Sequence, residues 1–222
     1  MIFTISKDDI LAQLIRQLES FFMLHRDEKE LLGRLMDDVM GRCAYCFGKN
    51  ENKYFKHEGE TCFNPYISAQ YVIFLYYFSN SVYRTLSGTE KKQNTGNLAD
   101  KIYYLNKAMN GCDLFYAIEL PSYFRVEHPV GSVMGRAQYG EGFSFLQGCT
   151  VGGYTPISKI PVYPTIGENV AMYANSTIIG NCTIGNNVNI GAGALVKNED
   201  IPSDTNVFGQ SPNLIIKSRK NV

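Results

Sequence analysis

Six apolar residues, Ile166, Met172, Ile178, Ile184, Ile190 and Val196, recur at intervals of six without a slip. A second series, Val133, Tyr139, Phe145 and Val151, keeps the same interval upstream. Six is neither the period of an α-helix nor the alternation of a single strand, and sustained self-similarity of this kind marks a repeat architecture. The physical reading is a coil with three flat faces, each turning one apolar side chain inward to stack on the coils above and below. Small residues, Asn and Gly fill the gaps, as in IGNCT, IGNNVN and IGAGAL. These are the residues that tolerate the positive φ of tight corners.

The two series are out of phase, because Val151 and Ile166 are fifteen residues apart. The intervening YTPISKIPVYPT has no place in a regular coil and is expected to protrude as a loop over 154–165. Pro156, Pro161 and Pro164 would stiffen it. A stiff loop leaving a rigid scaffold is a common place for substrate recognition.

Residues 1–111 use a different alphabet. Ser6, with Asp9 three residues on, has the form of a helix N-cap. Ile10, Leu11, Leu14, Ile15, Leu18, Phe21 and Phe22 follow at helical spacing. A second helix is expected from about Asp27, with Leu31, Leu32, Leu35, Met36 and Val39 on one face. The stretch from Cys43 to Asn64 reads as irregular. A third helix is expected from Pro65 to Leu86, a polar loop over 87–97, and a short helix from Leu98 to Asn110 ending before Gly111. The fold class is therefore α+β: a helical domain over 1–111, then a parallel β-helix over 112–222 with the protruding loop and a C-terminal tail.

Charge and composition exclude some functions. Lys plus Arg and Asp plus Glu both number 21, so nothing suggests a nucleic-acid partner. The densest apolar stretch, Tyr66 to Phe78, contains Ser68 and Gln70 and falls short of the roughly 20 apolar residues that span a bilayer. It reads as a buried helix. The first residues lack the pattern of a secretory leader, and six scattered cysteines suit a reducing cytoplasm. Cys43, Cys46, His57 and Cys62 contain zinc-ligand types, but the gap from Cys46 to His57 fits no common zinc template, and no metal is expected.

With the hexapeptides and the helical domain, EHPVG (127–131), FLQGCTVGG (145–153) and YPTIG (163–167) resemble the bacterial serine acetyltransferases. PYISAQYVIFLYYF extends the resemblance into the helices. It implies a left-handed β-helix, acetyl-CoA as co-substrate, and a homotrimer or a dimer of trimers. It also implies His128 as the base that deprotonates the acceptor hydroxyl, with Asp113, fifteen residues earlier, orienting it. The chemistry is sound independently: imidazole is the side chain best suited to take a hydroxyl proton near neutral pH, and a carboxylate fixes its tautomer.

For acetyl-CoA the resemblance implies Gly152, Gly153, Ala174, Ser176 and Ala192, small residues at the backbone, with Lys217 for a phosphate. In the loop the family has Arg-His before Pro, and this chain has Val162-Tyr163. Losing that guanidinium removes a bidentate carboxylate clamp, although Lys159 lies nearby as a point charge. The sequence reading therefore favours a neutral acceptor, a sugar hydroxyl of a surface polysaccharide or its precursor, contacted by Glu127, Tyr163 and Tyr154. Serine O-acetylation is the alternative reading, and a non-catalytic β-helix scaffold a further one. A zinc β-helix enzyme of the carbonic anhydrase type is excluded, because the C-terminal half holds a single histidine.

Overall fold

A computed structural model describes residues 1–87, 97–157 and 159–219. The chain divides into two compact units, residues 1–110 with 114–117, and residues 111–113 with 118–222. Most of the polar loop expected over 87–97 lies outside the described residues.

The first unit contains four helices among its described residues: α1 (Lys7–Glu19), α2 (Arg26–Gly48), α3 (Ser68–Leu86) and α4 (Leu98–Asn110). Ser6 caps α1, its hydroxyl accepting from the Asp9 N–H at 3.1 Å. α3 is the core: Tyr71 through Ser81 are buried without a break, so its apolar character is spent on neighbouring helices. No described helix is long and apolar enough to cross a membrane. Lys101 on α4 pairs with Glu28 on α2 at 2.7 Å, and Glu28 is nearly inaccessible.

Two sequence expectations are corrected here. α2 runs on through Cys43 and Cys46, which are buried on its inner face. Strands β2 (Lys56–His57) and β3 (Glu60–Phe63) lie where irregular chain was expected, and β3 also pairs with β1 (Ile2–Phe3) in a small sheet. Local polarity hid them, because β3 pairs with the chain's first residues, Ile2 with Cys62. α3 also starts at Ser68, not Pro65, because the Asn64 side chain accepts from the Tyr66 N–H at 2.9 Å and holds 64–67 in a turn.

The second unit is a left-handed parallel β-helix. Its strands are β4 (Asp113–Leu114), β5 (Phe124–Val126), β6 (Val133–Met134), β7 (Gln138–Tyr139), β8 (Phe143–Phe145), β9 (Thr150–Gly152), β10 (Thr165–Ile166), β11 (Ala171–Met172), β12 (Thr177–Ile179), β13 (Thr183–Ile184), β14 (Asn189–Ile190) and β15 (Leu195–Lys197). They stack as three faces: β7, β10 and β13; β5, β8, β11 and β14; and β4, β6, β9, β12 and β15. Ile166, Met172, Ile178, Ile184, Ile190 and Val196 are at most 3% exposed, as the six-residue period requires. Asn169, Asn175, Asn187 and Asn198 take positive φ at corners. The last coil ends in a hairpin of β16 (Thr205–Gln210) and β17 (Asn213–Ser218), so the segment expected as a tail is paired strand.

The upstream series breaks at its first member. Val133 is 41% exposed and Met134, 1% exposed, points inward, in register with Val151. Tyr139 follows Met134 at a spacing of five, so the corner around Gly135 and Arg136 is one residue shorter than the period.

Each inward aliphatic contributes roughly 1.5–3 kcal/mol by burial. Ile178 stacks between Val151 and Val196. Ile178→Ala is therefore expected to lower unfolding free energy by about 2–5 kcal/mol, read as a reduced urea midpoint.

Candidate active site

The β-helix is a prism, and its edges carry the candidate residues. His128 lies on the edge between the faces of β5 and β6, where the chain departs from the regular coil. Arg125 pairs with Ser144 nineteen residues on, whereas Val133 pairs with Thr150 seventeen residues on. The corner around His128 thus holds two residues more than the corner stacked on it. The excess pushes His128 into the exposed, left-handed backbone region, φ 49°. His tolerates this region better than most residues, and such a conformation persists only where its surroundings impose it. They do so here: the Glu127 N–H donates to Phe145 O at 3.1 Å, and the Gly131 N–H to Gly111 O at 2.8 Å. Asp113 belongs to the same corner, its N–H donating to Ser132 O at 2.8 Å. Glu127 is exposed beside His128.

Two expected acetyl-CoA contacts continue this edge upward. Ala174 and Ala192 follow β11 and β14, and the Gly193 N–H donates to Ala174 O at 2.9 Å. Ala192 is exposed and Ala174 half-buried. Ser176, expected with them as an acetyl-CoA contact, is instead fully buried, with its hydroxyl 3.6 Å from the Cys149 sulfur. A hydroxyl can face inward here because the interior offers that sulfur as a partner. Lys217 is exposed on β17, paired with Asn206.

Gly152 and Gly153 stand on a different edge, where β9 ends and the loop leaves. Tyr154 and Val162 close the loop base through two 2.9 Å backbone hydrogen bonds, and Ile157 is fully exposed beyond them. The Tyr163 ring lies over Gly153, where a Cβ would come within 2.6 Å of it. A Cβ on Gly152 would meet nothing within 4 Å, so the backbone there is open to a ligand.

One residue on this edge escaped the sequence reading. Arg136 lies one coil below the loop, its guanidinium 5.3 Å from the centre of the Tyr163 ring. The shortened corner that turns Val133 outward also places Arg136 under Tyr163. The signal was a cation about one coil upstream of the loop, hidden because the apparent period assigned the wrong residue to the interior.

The comparisons with known proteins agree with this fold. Residues 163–198 match the bacterial transferase hexapeptide family, six repeats. The serine acetyltransferase of Staphylococcus epidermidis is 35% identical over 120 residues, 54% of this chain and 55% of that protein. That of Synechococcus elongatus is 34% identical over 116 residues, 52% and 47%. This is a hexapeptide-repeat chain similar to serine acetyltransferases. It spans about half the length of the curated relatives it matches. The crystal structure of the Neisseria gonorrhoeae serine acetyltransferase superposes with a TM-score of 0.72 at 24% identity, covering 98% of this chain and 82% of that one. That of Vibrio cholerae gives 0.72 at 20%, covering 97% and 81%. These two likenesses establish the fold.

No described group of three or more His, Cys, Asp or Glu side chains is arranged to hold a metal, and Cys43, Cys46, Cys62 and His57 form no such cluster. All six cysteines are buried and none forms a disulfide. Burial, and then the Asp113 carboxylate, pushes the Cys112 thiol up to about 12. Burial, and then Asp200, pushes Cys182 up to about 11, and burial raises Cys43 well above the usual thiol range. A thiolate is the reactive form, so at pH 8 Cys112 and Cys182 are ionised at ~10⁻³ or less, and burial keeps Cys43 in its thiol form. Iodoacetamide at pH 8 should leave Cys43, Cys112 and Cys182 unlabelled in the native protein and label them after guanidinium unfolding, as read by peptide mass mapping.

Proposed function

We propose that this protein is an acetyl-CoA-dependent O-acetyltransferase acting on the side-chain hydroxyl of L-serine. The observation that carries the reading is the two-residue excess that holds His128 outward at the corner shared with Asp113, on a β-helix similar in sequence to serine acetyltransferases. The comparisons name serine acetyltransferases and lend no support to a sugar acceptor, so the alternative drawn from the sequence becomes the preferred reading.

In this mechanism His128 accepts the proton of the acceptor hydroxyl as its oxygen forms a bond to the acetyl carbon. Asp113 holds the imidazole in the required tautomer and stabilises the imidazolium. Acetyl-CoA supplies the acetyl group and a thiolate leaving group. As the carbon–sulfur bond breaks, His128 returns the proton to that sulfur, leaving the O-acetyl ester and free CoA. A backbone N–H of Gly152 or Gly153 donates to the carbonyl oxygen as charge builds there. No acyl-enzyme forms, so the buried cysteines are not required.

The edges dictate how the site is assembled. His128, Ala174 and Ala192 occupy one edge, and Gly152, Gly153 and Tyr163 another. A six-residue side separates them by roughly 15–20 Å at ~3.3 Å per residue, too far for one small acceptor within a single copy. A groove between neighbouring copies brings one edge of each together, so the working form is a homotrimer, alone or paired. Ala174 and Ala192 leave that groove open to the thin pantetheine arm, and Lys217 is the candidate for a CoA phosphate. Six reduced thiols suit the cytoplasm.

His128→Ala should lower kcat for acetyl transfer to L-serine by roughly 10²–10⁴-fold, with the sedimentation coefficient unchanged. Near wild-type turnover in that variant would refute the assignment of the base. Asp113→Asn should reduce kcat less, because the imidazole remains.

A further inference from the structure

We infer that Arg136 is a specificity-determining residue that holds the carboxylate of the amino-acid acceptor, in a site completed by His128 of a neighbouring copy. This rests on the serine reading given above.

The argument starts from the acceptor. A free amino acid brings an ionised carboxylate into the groove, and a desolvated carboxylate needs a cationic or multiply hydrogen-bonding partner. The loop provides no arginine: its base is Tyr154, Val162 and Tyr163, and Lys159 sits out near its tip, between Pro156 and Ile160. Arg136 fills the role from the coil below. Its guanidinium lies against the Tyr163 ring, 5.3 Å from the centroid. It is exposed and forms no ion pair with a carboxylate among the described residues. Stacking on the ring restricts a long side chain before any ligand arrives, so less freedom is lost on binding. The planar fork then offers two parallel N–H donors to the two carboxylate oxygens.

Two backbone features fix the position. The corner from Met134 to Tyr139 is one residue short, and the Gly135 N–H donates to Val151 O at 2.8 Å. Arg136 is thereby locked directly beneath the start of the loop. Gly153 leaves the gap that the Tyr163 ring fills, and even a methyl group there would displace the ring. The same edge carries a second cation–aromatic pair, Lys197 over Tyr154 at 5.3 Å, but Lys197 lies two coils above β9 and on the far side of the loop base from Arg136.

The test uses the full-length assembly and compares L-serine with L-serinamide, which keeps the hydroxyl and amine but lacks the carboxylate. Wild type should prefer L-serine. Arg136→Gln should lower kcat/KM for L-serine roughly 10- to 100-fold, the value of a charge-assisted hydrogen bond, mainly through KM. It should leave kcat/KM for L-serinamide and KM for acetyl-CoA near wild type, and Arg136→Lys should recover part of the loss. Unchanged KM for acetyl-CoA also reports that the variant is folded. Mixing Arg136→Gln with His128→Ala protomers before reassembly should restore about a quarter of the wild-type rate at low serine, because random assembly gives that share of interfaces both intact edges. The assignment is overturned if L-serine and L-serinamide fall together, if KM for acetyl-CoA rises instead, if Lys159→Gln causes the loss and Arg136→Gln does not, or if mixing restores nothing. A wild-type protein that transfers acetyl groups to other hydroxyls but not to L-serine would refute the serine reading itself.

Discussion

Axial stacking of one apolar side chain per hexapeptide is the interaction on which the C-terminal unit depends. A single coil cannot bury its inward residue, since the contact surface belongs to the coils above and below. Ile178 is buried by Val151 and Val196, not by its own neighbours in sequence. This makes the prism rigid along its axis and leaves its edges free to vary, because an edge residue contributes little to the stack. Functional side chains can then be carried at edges with little loss of core packing.

The variation is concentrated at three places, each a departure from the regular coil. The corner at His128 is two residues long for its coil, the corner at Arg136 is one residue short, and the loop adds further residues between β9 and β10. Thr165 pairs with Gln138 twenty-seven residues earlier and with Thr183 eighteen residues later, so the loop leaves the coils on either side in register. Irregularity in a strict repeat is therefore informative: a change in corner length re-aims a side chain without disturbing the faces.

The candidate residues divide between two edges of the prism. His128 and the loop base at Tyr154 and Val162 stand a full side apart in one copy. The proposed mechanism needs its reacting groups within a few ångströms, which is why it calls for a second copy. The loss of a guanidinium from the loop also changes meaning in three dimensions. In sequence it reads as loss of a carboxylate clamp and favours a neutral acceptor. In the structure a different arginine, Arg136, lies against the ring of Tyr163, the neighbour of the Val162 that stands in its place.

The sequence alone determined the β-helix, because a six-residue period carried by buried aliphatics has few physical solutions, and the helices α1, α3 and α4 to within a few residues. It also offered His128 and Asp113 as candidates; Asp113 lies on β4, its N–H bonded to Ser132 O at the end of the corner that carries His128. It could not show that Met134 and not Val133 faces inward, since both are apolar and only register with Val151 decides between them. Nor could it show that Ser176 is interior, because the Cys149 sulfur comes within reach of its hydroxyl only after the coils have stacked. The sheet that β3 makes with the chain's first residues was equally hidden, as pairing across some sixty residues leaves no local pattern. Arg136 belongs to the same class. What it does is set by the ring it lies against, and that ring comes from a different coil, placed there by tertiary stacking.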